Sequence, residues 1–377
     1  MAGKTIPREY GAAWPSALTV YPVRRRESPT TVADVRAGPS SKPKRHHYVP
    51  QAYLARFGRD RQIAARRRGK PGHYVTNVKN VALETNFYQT TKADGQTSVE
   101  VETWLAEIDG MADQAIADVL AAGEPPRPGT PERFNLAAVL AIQMTRTPEM
   151  RERVLFTDRL ARYANGDEVS LDLVRRFLAE EHLGFDPRDG EVQGAFDMYH
   201  ASRLMSDGEV TKDDAINVAM RAAPDVAVPL AMKRWTLEVA RKPKFITSDS
   251  PLVLWRPRTP RDAFEGVGIK TALEIRFPLD TGHQLVLVDL EDARPTTVRV
   301  EPDRVRQCNA DLASSCHTLI VGHPDRTRQL TELKLARRRP VLRFNTGPLY
   351  ERNRDGEDVY TGEILHVWVQ RHDQVGA

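Results

Sequence analysis

The sequence has only two cysteines and no long apolar run, and each shortage excludes a class of protein. Cys308 and Cys316 would lie about two turns apart on a predicted helix, which is too far for a mutual disulfide. We therefore expect two buried thiols in a reducing compartment. No segment approaches the roughly 18 apolar residues of a membrane-spanning helix, and no apolar block near the N-terminus indicates a secretory signal. These absences predict a cytoplasmic protein that does not enter a membrane.

Most of the chain also lacks an excess of charge of either sign. The net charge is +4, but residues 1–45 hold nine basic and three acidic side chains, so the rest holds 46 basic and 48 acidic ones. A basic arm can attract phosphate backbones without reading their sequence, or it can be a solvated tail with no specific partner. A second basic cluster, Arg66–Lys70, lies inside the predicted domain. It is the better candidate for a contact with nucleic acid.

Proline spacing divides the chain into an arm and a folded domain. Residues 1–44 contain six prolines, spaced so that neither a helix nor a strand can propagate. This segment is predicted to be a disordered, basic, proline-rich arm. Hydrophobic residues make up 40% of the sequence, enough to fill a sizeable core. We predict one large domain over residues 45–377, with a helical part at about 98–233 and a strand-rich part at about 234–377.

The order of the predicted elements indicates the fold class. Apolar residues that return every three or four positions predict helices over Pro50–Phe57, Ser98–Ala122, Pro131–Arg146, Ser170–His182, Glu191–Met205, Asp213–Lys233, Pro302–Ser315 and Asp325–Arg339, and Thr147-Pro148 starts another. Short β-type runs predict strands between Gln62 and Gln89 and over Trp235–Ala240, Lys244–Thr247, Leu252–Trp255, Leu273–Phe277, Leu285–Leu290, Thr297–Val300, Val341–Asn345 and Glu363–Gln370. This order predicts an α+β fold, with a central helical block flanked by a mostly antiparallel sheet.

The predicted domain begins with a polar string, His46-His47-Tyr48-Val49-Pro50-Gln51. Imidazole can move a proton near neutral pH or hold a transition metal. Because neighbouring side chains on an extended chain point to opposite faces, only one histidine is expected to reach a site. The alternative is that both histidines form local hydrogen bonds that order the start of the fold.

Four polar residues on the predicted helices could complete such a site. Glu102 and Asp109 are seven residues apart, which places both on one helix face near the buried stripe. There they need a metal ion, a proton or an arginine, unless they form a solvated edge. Gln143 lies on a buried helix face, and Arg146 could hold an anionic group together with the amides after Thr147. The alternative for Arg146 is a structural salt bridge to Glu102 or Asp109.

Asp249 follows a predicted strand in the turn Thr247-Ser248-Asp249-Ser250-Pro251. At a rigid strand end it could be a metal ligand or a general base, or it could hydrogen-bond the backbone of its own turn. Asn309, on a later predicted helix near Cys308 and His317, could close the site.

Six segments together carry a resemblance to a known family. They are Lys44–Leu54, Asn86-Phe87-Tyr88, the helix from Glu102 to Asp109, Gln143–Pro148, Ile246–Pro251 and Asn309. Over roughly residues 46–321 they resemble the bacterial family called domain of unknown function 4238, and the string HHYVPQ is the most specific part. Asp109 stands where the family has glutamate, which weakens a metal site, and Ser250 stands where it has asparagine. The resemblance implies which residues belong together and implies no particular reaction.

These residues support functions of different classes. The first is a nuclease-like, metal-dependent hydrolase acting on a phosphodiester of nucleic acid or another anionic substrate. Its catalytic residues would be His46, His47, Glu102 and Asp249. Its metal, Mn, Fe or Zn, would be held by His47, Glu102, Asp109 and Asp249, and its substrate by Gln51, Gln143, Arg146 and Asn309. The second is a non-catalytic module in which His47 and Arg146 bind nucleic acid or a small anion, and the third is a buried polar core.

Overall fold

The computed structural model describes residues 45–85, 90–91, 97–98, 100–205, 212–257, 267–289, 294–336, 341–352 and 358–371. The predicted arm, residues 1–44, and the string Asn86-Phe87-Tyr88 lie outside these ranges. Within them, helices and mostly antiparallel strands confirm the predicted α+β class. A search of the described helices finds none with both the length and the apolar character needed to cross a membrane.

One short helix precedes the helical middle of the chain, and two more helices follow it. The helices are α1 Gln51–Ala55, α2 Glu100–Ala122, α3 Pro131–Thr145, α4 Pro148–Val154, α5 Phe156–Ala164, α6 Leu171–Phe177, α7 Asp189–Met205, α8 Lys212–Met232, α9 Pro302–Ser315 and α10 Thr327–Glu332. A π-helical segment, Leu178–Leu183, continues α6, and 3-10 turns stand at Val78–Asn80 and Pro324–Arg326.

Local signals set several helix starts. Thr130 accepts a hydrogen bond from the amide of Arg133 (3.3 Å), and Thr147 accepts one from the amide of Met150 (3.4 Å). A proline follows each threonine, and its fixed φ suits the first helical position. Ser170 caps α6 in the same way. These side chains confirm the predicted starts.

The strands form two larger sheets and three pairs. They are β1 Arg45–His47, β2 Gln62–Arg67, β3 Tyr74–Asn77, β4 Leu83–Thr85, β5 Thr90–Thr91, β6 Thr97–Ser98, β7 Arg234–Ala240, β8 Thr247–Ser248, β9 Val253–Trp255, β10 Glu274–Pro278, β11 His283–Val288, β12 Thr296–Val300, β13 Leu319–Gly322, β14 Val341–Arg352 and β15 Asp358–Arg371. One sheet has the order β12-β7-β11-β10-β9 and the other β3-β2-β13-β8, while β1-β4, β5-β6 and β14-β15 pair separately. The pairing of β12 with β7 is parallel and the other described pairs are antiparallel, as predicted.

The main core packs one face of the five-stranded sheet against α2, α3 and α8. Trp235 of β7, Phe277 of β10 and Leu285 of β11 are among the buried residues of this face. Alternate residues of a strand point to the same side of the sheet. Tyr53 of α1 stacks on Phe277 with 5.1 Å between ring centroids, so α1 fixes the preceding histidine string to the core. A separate apolar cluster, around Phe156, joins α5, α6 and α7.

Several elements differ from the prediction, among them α10 and β13. The helix predicted over Asp325–Arg339 is wrong over residues 333–336, because Arg66 donates hydrogen bonds of 2.7 Å to the carbonyls of Leu330 and Leu333 and closes the helix end. No sequence pattern predicts β13, which lies between β2 and β8. Its four residues are too few for periodicity to distinguish a strand from a helical segment.

Candidate functional site

Strand β1 places the two histidines on opposite sides of a short antiparallel pair. His46 lies opposite Glu84 of β4, and His47 lies opposite Leu83. His46 is buried, whereas His47 is half-buried. Glu84 forms an ion pair of 2.6 Å with Arg151 of α4. The alternation of the strand therefore sends one histidine into the interior and leaves the other nearer the surface.

A relay of hydrogen bonds fixes the proton of His47. Arg61 Nη2 donates to Oε1 of Gln51 over 2.7 Å. The amide of Gln51 is thereby oriented with Nε2 toward His47, whose Nδ1 lies 3.3 Å away. Because an amide nitrogen only donates, Nδ1 must accept, and the single proton of the neutral ring sits on Nε2. His47 is therefore held as a hydrogen-bond donor.

The turn that supplies Arg61 has a strained backbone. Asp60 and Arg61 have φ angles of 52° and 60°, in the left-handed region that costs about 1–2 kcal/mol for each residue with a side chain. Before them, a Cβ on Gly58 would lie 2.1 Å from the carbonyl oxygen of Gln62, so only glycine fits. Arg59 and Gln62 close the turn with backbone hydrogen bonds of 3.0 and 2.8 Å. Strain of this kind is typical of functional sites.

The pKa of His47 is lowered from its ordinary value, chiefly because burial disfavours the charged ring. A hydrogen bond to the backbone of Lys79 and the carboxylate of Asp109 act in the opposite direction, while the charges of Arg45 and His46 lower the pKa further. His47 Nε2 is itself a buried atom; the backbone of Lys79 lies beside the ring, and no other described group accepts from Nε2. At neutral pH the ring is uncharged, and its N–H is buried beside the backbone of Lys79.

The lowered pKa of His47 predicts a pH-dependent stability. An unfolded histidine binds its proton near about pH 6.5, whereas His47 in the folded chain binds it only at lower pH. The unfolded state therefore takes up more protons below about pH 6.5, which favours unfolding. Between about pH 7.5 and about pH 5, the free energy of unfolding should fall more for the wild type than for His47→Gln, as measured by urea denaturation.

The control for this prediction is His73→Gln, because His73 is exposed on the chain that leads into β3. This variant should keep the pH dependence of the wild type. Parallel curves for the wild type and His47→Gln would contradict the lowered pKa.

A buried network joins α2, α3 and the histidine string. Arg146 donates through Nη1 to Asp109 (2.6 Å) and through Nε and Nη2 to Oε1 of Gln143 (3.1 and 2.6 Å). The amide of Gln143 donates in turn to the backbone carbonyl of Tyr48 over 3.1 Å. The side chain of Arg146 is 3% exposed and that of Asp109 is 30% exposed. The two charges neutralise each other, which matches the structural alternative predicted for Arg146.

Little space remains beside this network. A cavity of about 10 Å³ is lined by Pro50, Ile108, Asp109, Gln143 and Arg146, among others. This volume holds about one water molecule. Gln143 and Arg146, predicted to bind substrate, therefore face packed side chains rather than an open pocket.

Asp249 is fully buried just after β8, and its carboxylate accepts four hydrogen bonds. Oδ1 accepts from the amide of His317 (2.9 Å), and Oδ2 accepts from the amide and hydroxyl of Thr318 (2.7 and 2.6 Å) and the amide of Leu319 (3.1 Å). These donors belong to the start of β13. Since a carboxylate has about four lone-pair sites, Asp249 has little capacity left for a metal ion.

Asn309 and Glu102 complete the predicted set. The side chain of Asn309 accepts from the amide of Ile246 (3.1 Å) and donates to the carbonyl of Lys244 (2.9 Å), which ties α9 to the chain before β8. Glu102 lies in the first turn of α2, but its side chain is outside the described residues. Among the side chains that the structure does describe, no group of three or more His, Cys, Asp or Glu could hold a metal ion.

Two arginines of the basic cluster Arg66–Lys70 are also engaged within the fold. Arg66 closes the end of α10, as described above. The guanidinium of Arg68 donates to three carbonyls at the end of α9, those of Ala313 (2.8 Å), Ser314 (2.9 Å) and Cys316 (2.9 Å). Arg68 is 9% exposed, so this side chain does not present its charge to a partner.

The structure brings His47, Gln51 and Asp109 together with basic residues that the sequence did not indicate. Arg61 and Lys79 are exposed and lie beside His47 and Gln51. Arg61 depends on a left-handed turn that contains no glycine or asparagine to signal it. For Lys79 the local signal is Asn77, whose side chain accepts from the amide of Lys79 and caps a 3-10 turn.

A known family of proteins includes the segment that contains these residues. The sequence model of the family described as Protein of unknown function (DUF4238) matches residues 45–326. The match begins at β1 and ends just before α10, so it includes every residue of the predicted site. No curated protein and no solved structure matches the chain. Because the matched range covers most of the 377 residues, the chain belongs to the DUF4238 family of proteins of unknown function.

Proposed function

We propose that this protein is a non-catalytic module that binds an anionic ligand, with His47 as the donor that recognises it. The observation that carries the proposal is the relay from Arg61 through Gln51 to His47. The relay occupies Nδ1 and leaves the proton on Nε2, which is buried beside the backbone of Lys79, so the ring gives a hydrogen bond to a ligand that displaces this contact. It cannot accept a proton from a substrate unless the relay breaks.

The charges around His47 favour an anion. Arg45, Arg61 and Lys79 are exposed basic residues near the ring. Asp109, whose charge also acts on the ring, is already paired with Arg146. An uncharged donor among basic side chains suits the oxygen atoms of a phosphate group. The ligand class that we propose is therefore the phosphodiester backbone of nucleic acid.

The metal-dependent hydrolase stays a prediction and is the second candidate. In its favour, the carboxylate of Asp109 interacts electrostatically with His47. Against it, Asp249 already accepts four hydrogen bonds and Asp109 already pairs with Arg146. The hydrolase would therefore depend on Glu102.

Binding of a fluorescein-labelled single-stranded oligonucleotide, followed by anisotropy at several salt concentrations, tests the proposal. His47→Ala should weaken binding about 10-fold or more, because a lost hydrogen bond to a charged acceptor costs about 1.5–3 kcal/mol. Arg61→Gly is the sharper variant, since it removes the relay and relieves a left-handed residue. It should weaken binding while the free energy of unfolding stays the same or rises.

The matched control is His73→Ala, which should leave the affinity unchanged. Unchanged affinity in His47→Ala would contradict the proposal. A lower free energy of unfolding in both His47→Ala and Arg61→Gly, with unchanged affinity, would favour the buried polar core. Cleavage of the oligonucleotide that is lost in Glu102→Ala or on chelation of metal would favour the hydrolase.

A further inference from the structure

A groove of about 410 Å³ lies between the C-terminal half of α2 and the start of α3. Its lining shares no residue with the small cavity beside Arg146. Met111, Ala115, Val119 and Pro126 give it an apolar surface. The volume is in the range of natural ligand pockets, so the groove can take a few side chains of a partner.

The rim of the groove is acidic. Asp118, Glu124 and Glu132 line it and are exposed, against one exposed basic residue, Arg127. A partner for this surface should therefore combine apolar side chains with positive charge, since charges across an interface are arranged to be complementary.

The N-terminal arm contains a segment of this composition. Trp14, Leu18, Val20, Tyr21 and Val23 lie close together in the sequence, and Arg24-Arg25-Arg26 follows them directly. Aromatic and branched apolar residues at this density are unusual in a tail that only has to stay solvated. The segment Trp14–Arg26 therefore has both the apolar side chains and the positive charge that would complement the groove.

The chain is also long enough to reach the groove. Eighteen residues separate Arg26 from Arg45, and an extended chain spans up to about 3.3–3.6 Å per residue, or about 60 Å in all. Soon after Arg45, Arg56 pairs with Asp113 of α2, in the part of that helix that lines the groove. The chain that follows the arm is thus tied to the helix that forms one side of the groove.

We propose that the segment Trp14–Arg26 docks in the groove of its own chain. Its apolar side chains lie against Met111, Ala115 and Val119, and its arginines lie beside Glu124 and Glu132. A short tether raises the effective concentration of the segment to about the millimolar range, so weak contacts suffice for docking. This inference does not depend on the ligand of His47.

Photo-crosslinking in the full-length chain tests the docking. With p-benzoylphenylalanine in place of Trp14, irradiation should crosslink position 14 to residues 111–135 of the same chain, as mapped by peptide mass spectrometry. Combined Glu124→Lys and Glu132→Lys substitutions should lower the yield about threefold or more. Glutamates in place of Arg24, Arg25 and Arg26 should restore the yield in that background.

The control is the same probe in place of Thr5, which should give few crosslinks in the groove. Crosslinks from position 14 mainly to other surfaces would overturn the proposal. The irradiation is repeated on mixed isotopically heavy and light chains, and crosslinks that join heavy to light chains would also overturn it. The map from position 14 requires no change in the folded domain, so it does not depend on how well the charge-reversed variant folds.

Discussion

Asp249→Ala is expected to lower the free energy of unfolding by about 3–5 kcal/mol. The fully buried carboxylate accepts three backbone amides and one hydroxyl at the start of β13. Alanine would leave these donors without an acceptor, and His317 and Leu319 are themselves buried. Since domains are stable by only about 5–15 kcal/mol, the loss is a large share of the total. Urea denaturation followed by circular dichroism measures it.

Two variants separate this structural role from a catalytic one. Asp325→Ala removes an exposed carboxylate that pairs with the exposed Arg59, and it should change the free energy of unfolding by no more than about 0.5 kcal/mol. Asp249→Asn keeps the size of the side chain but turns amide hydrogens toward donors, so it should destabilise nearly as much as alanine. If Asp249→Ala were as stable as the wild type, the structural role would be contradicted.

Arg68→Met should cost about 2–4 kcal/mol of unfolding free energy. Its guanidinium donates to the carbonyls of Ala313, Ser314 and Cys316 at the end of α9. The amides that donate to Asp249 follow directly in the chain. Methionine replaces the apolar part of the side chain and leaves those carbonyls without their donor. Chemical denaturation of Arg68→Met beside the wild type gives the difference.

Arg67→Met, at the neighbouring position that ends β2, is the matched control. Arg67 is half-buried and donates to the hydroxyl of Tyr74, so its loss should cost much less. Because Arg68 and Asp249 hold the same connection between α9 and β13, the two substitutions should not be additive, and the double variant should cost about 0.5–3 kcal/mol less than the sum. A loss of oligonucleotide affinity at full stability in Arg68→Met would instead indicate a nucleic-acid contact.

Structural features that depend on residues close together in the sequence were predictable. A threonine followed by proline specifies a helix start with groups only a few residues apart, and both Thr130 and Thr147 cap helices as predicted. The pairing of Arg146 with Asp109 fits the alternative stated for Arg146, a structural salt bridge to Glu102 or Asp109, which is a common role of arginine. Helix periodicity likewise located α9 at its observed bounds, Pro302–Ser315.

Features that depend on distant parts of the chain were not predictable. The four buried residues of β13 become a strand because β2 and β8 supply partners from far along the chain. Asp249 was predicted as a metal ligand or general base at a strand end, or as an acceptor within its own turn, yet its partners lie 68 to 70 residues away. Arg61 has a left-handed backbone, a conformation that an arginine in the sequence does not predict.

The two edge strands of the five-stranded sheet affect the tendency of the protein to aggregate at high concentration. In the described part of the chain, β12 and β9 are its edges, with five and three residues. An edge strand offers unpaired amides and carbonyls to other chains, and short length and a charged side chain both discourage such pairing. Four of the five residues of β12 are exposed, and Arg299 is one of them. The sheet is therefore a poor template for aggregation, even though its parallel edge strand is accessible to solvent.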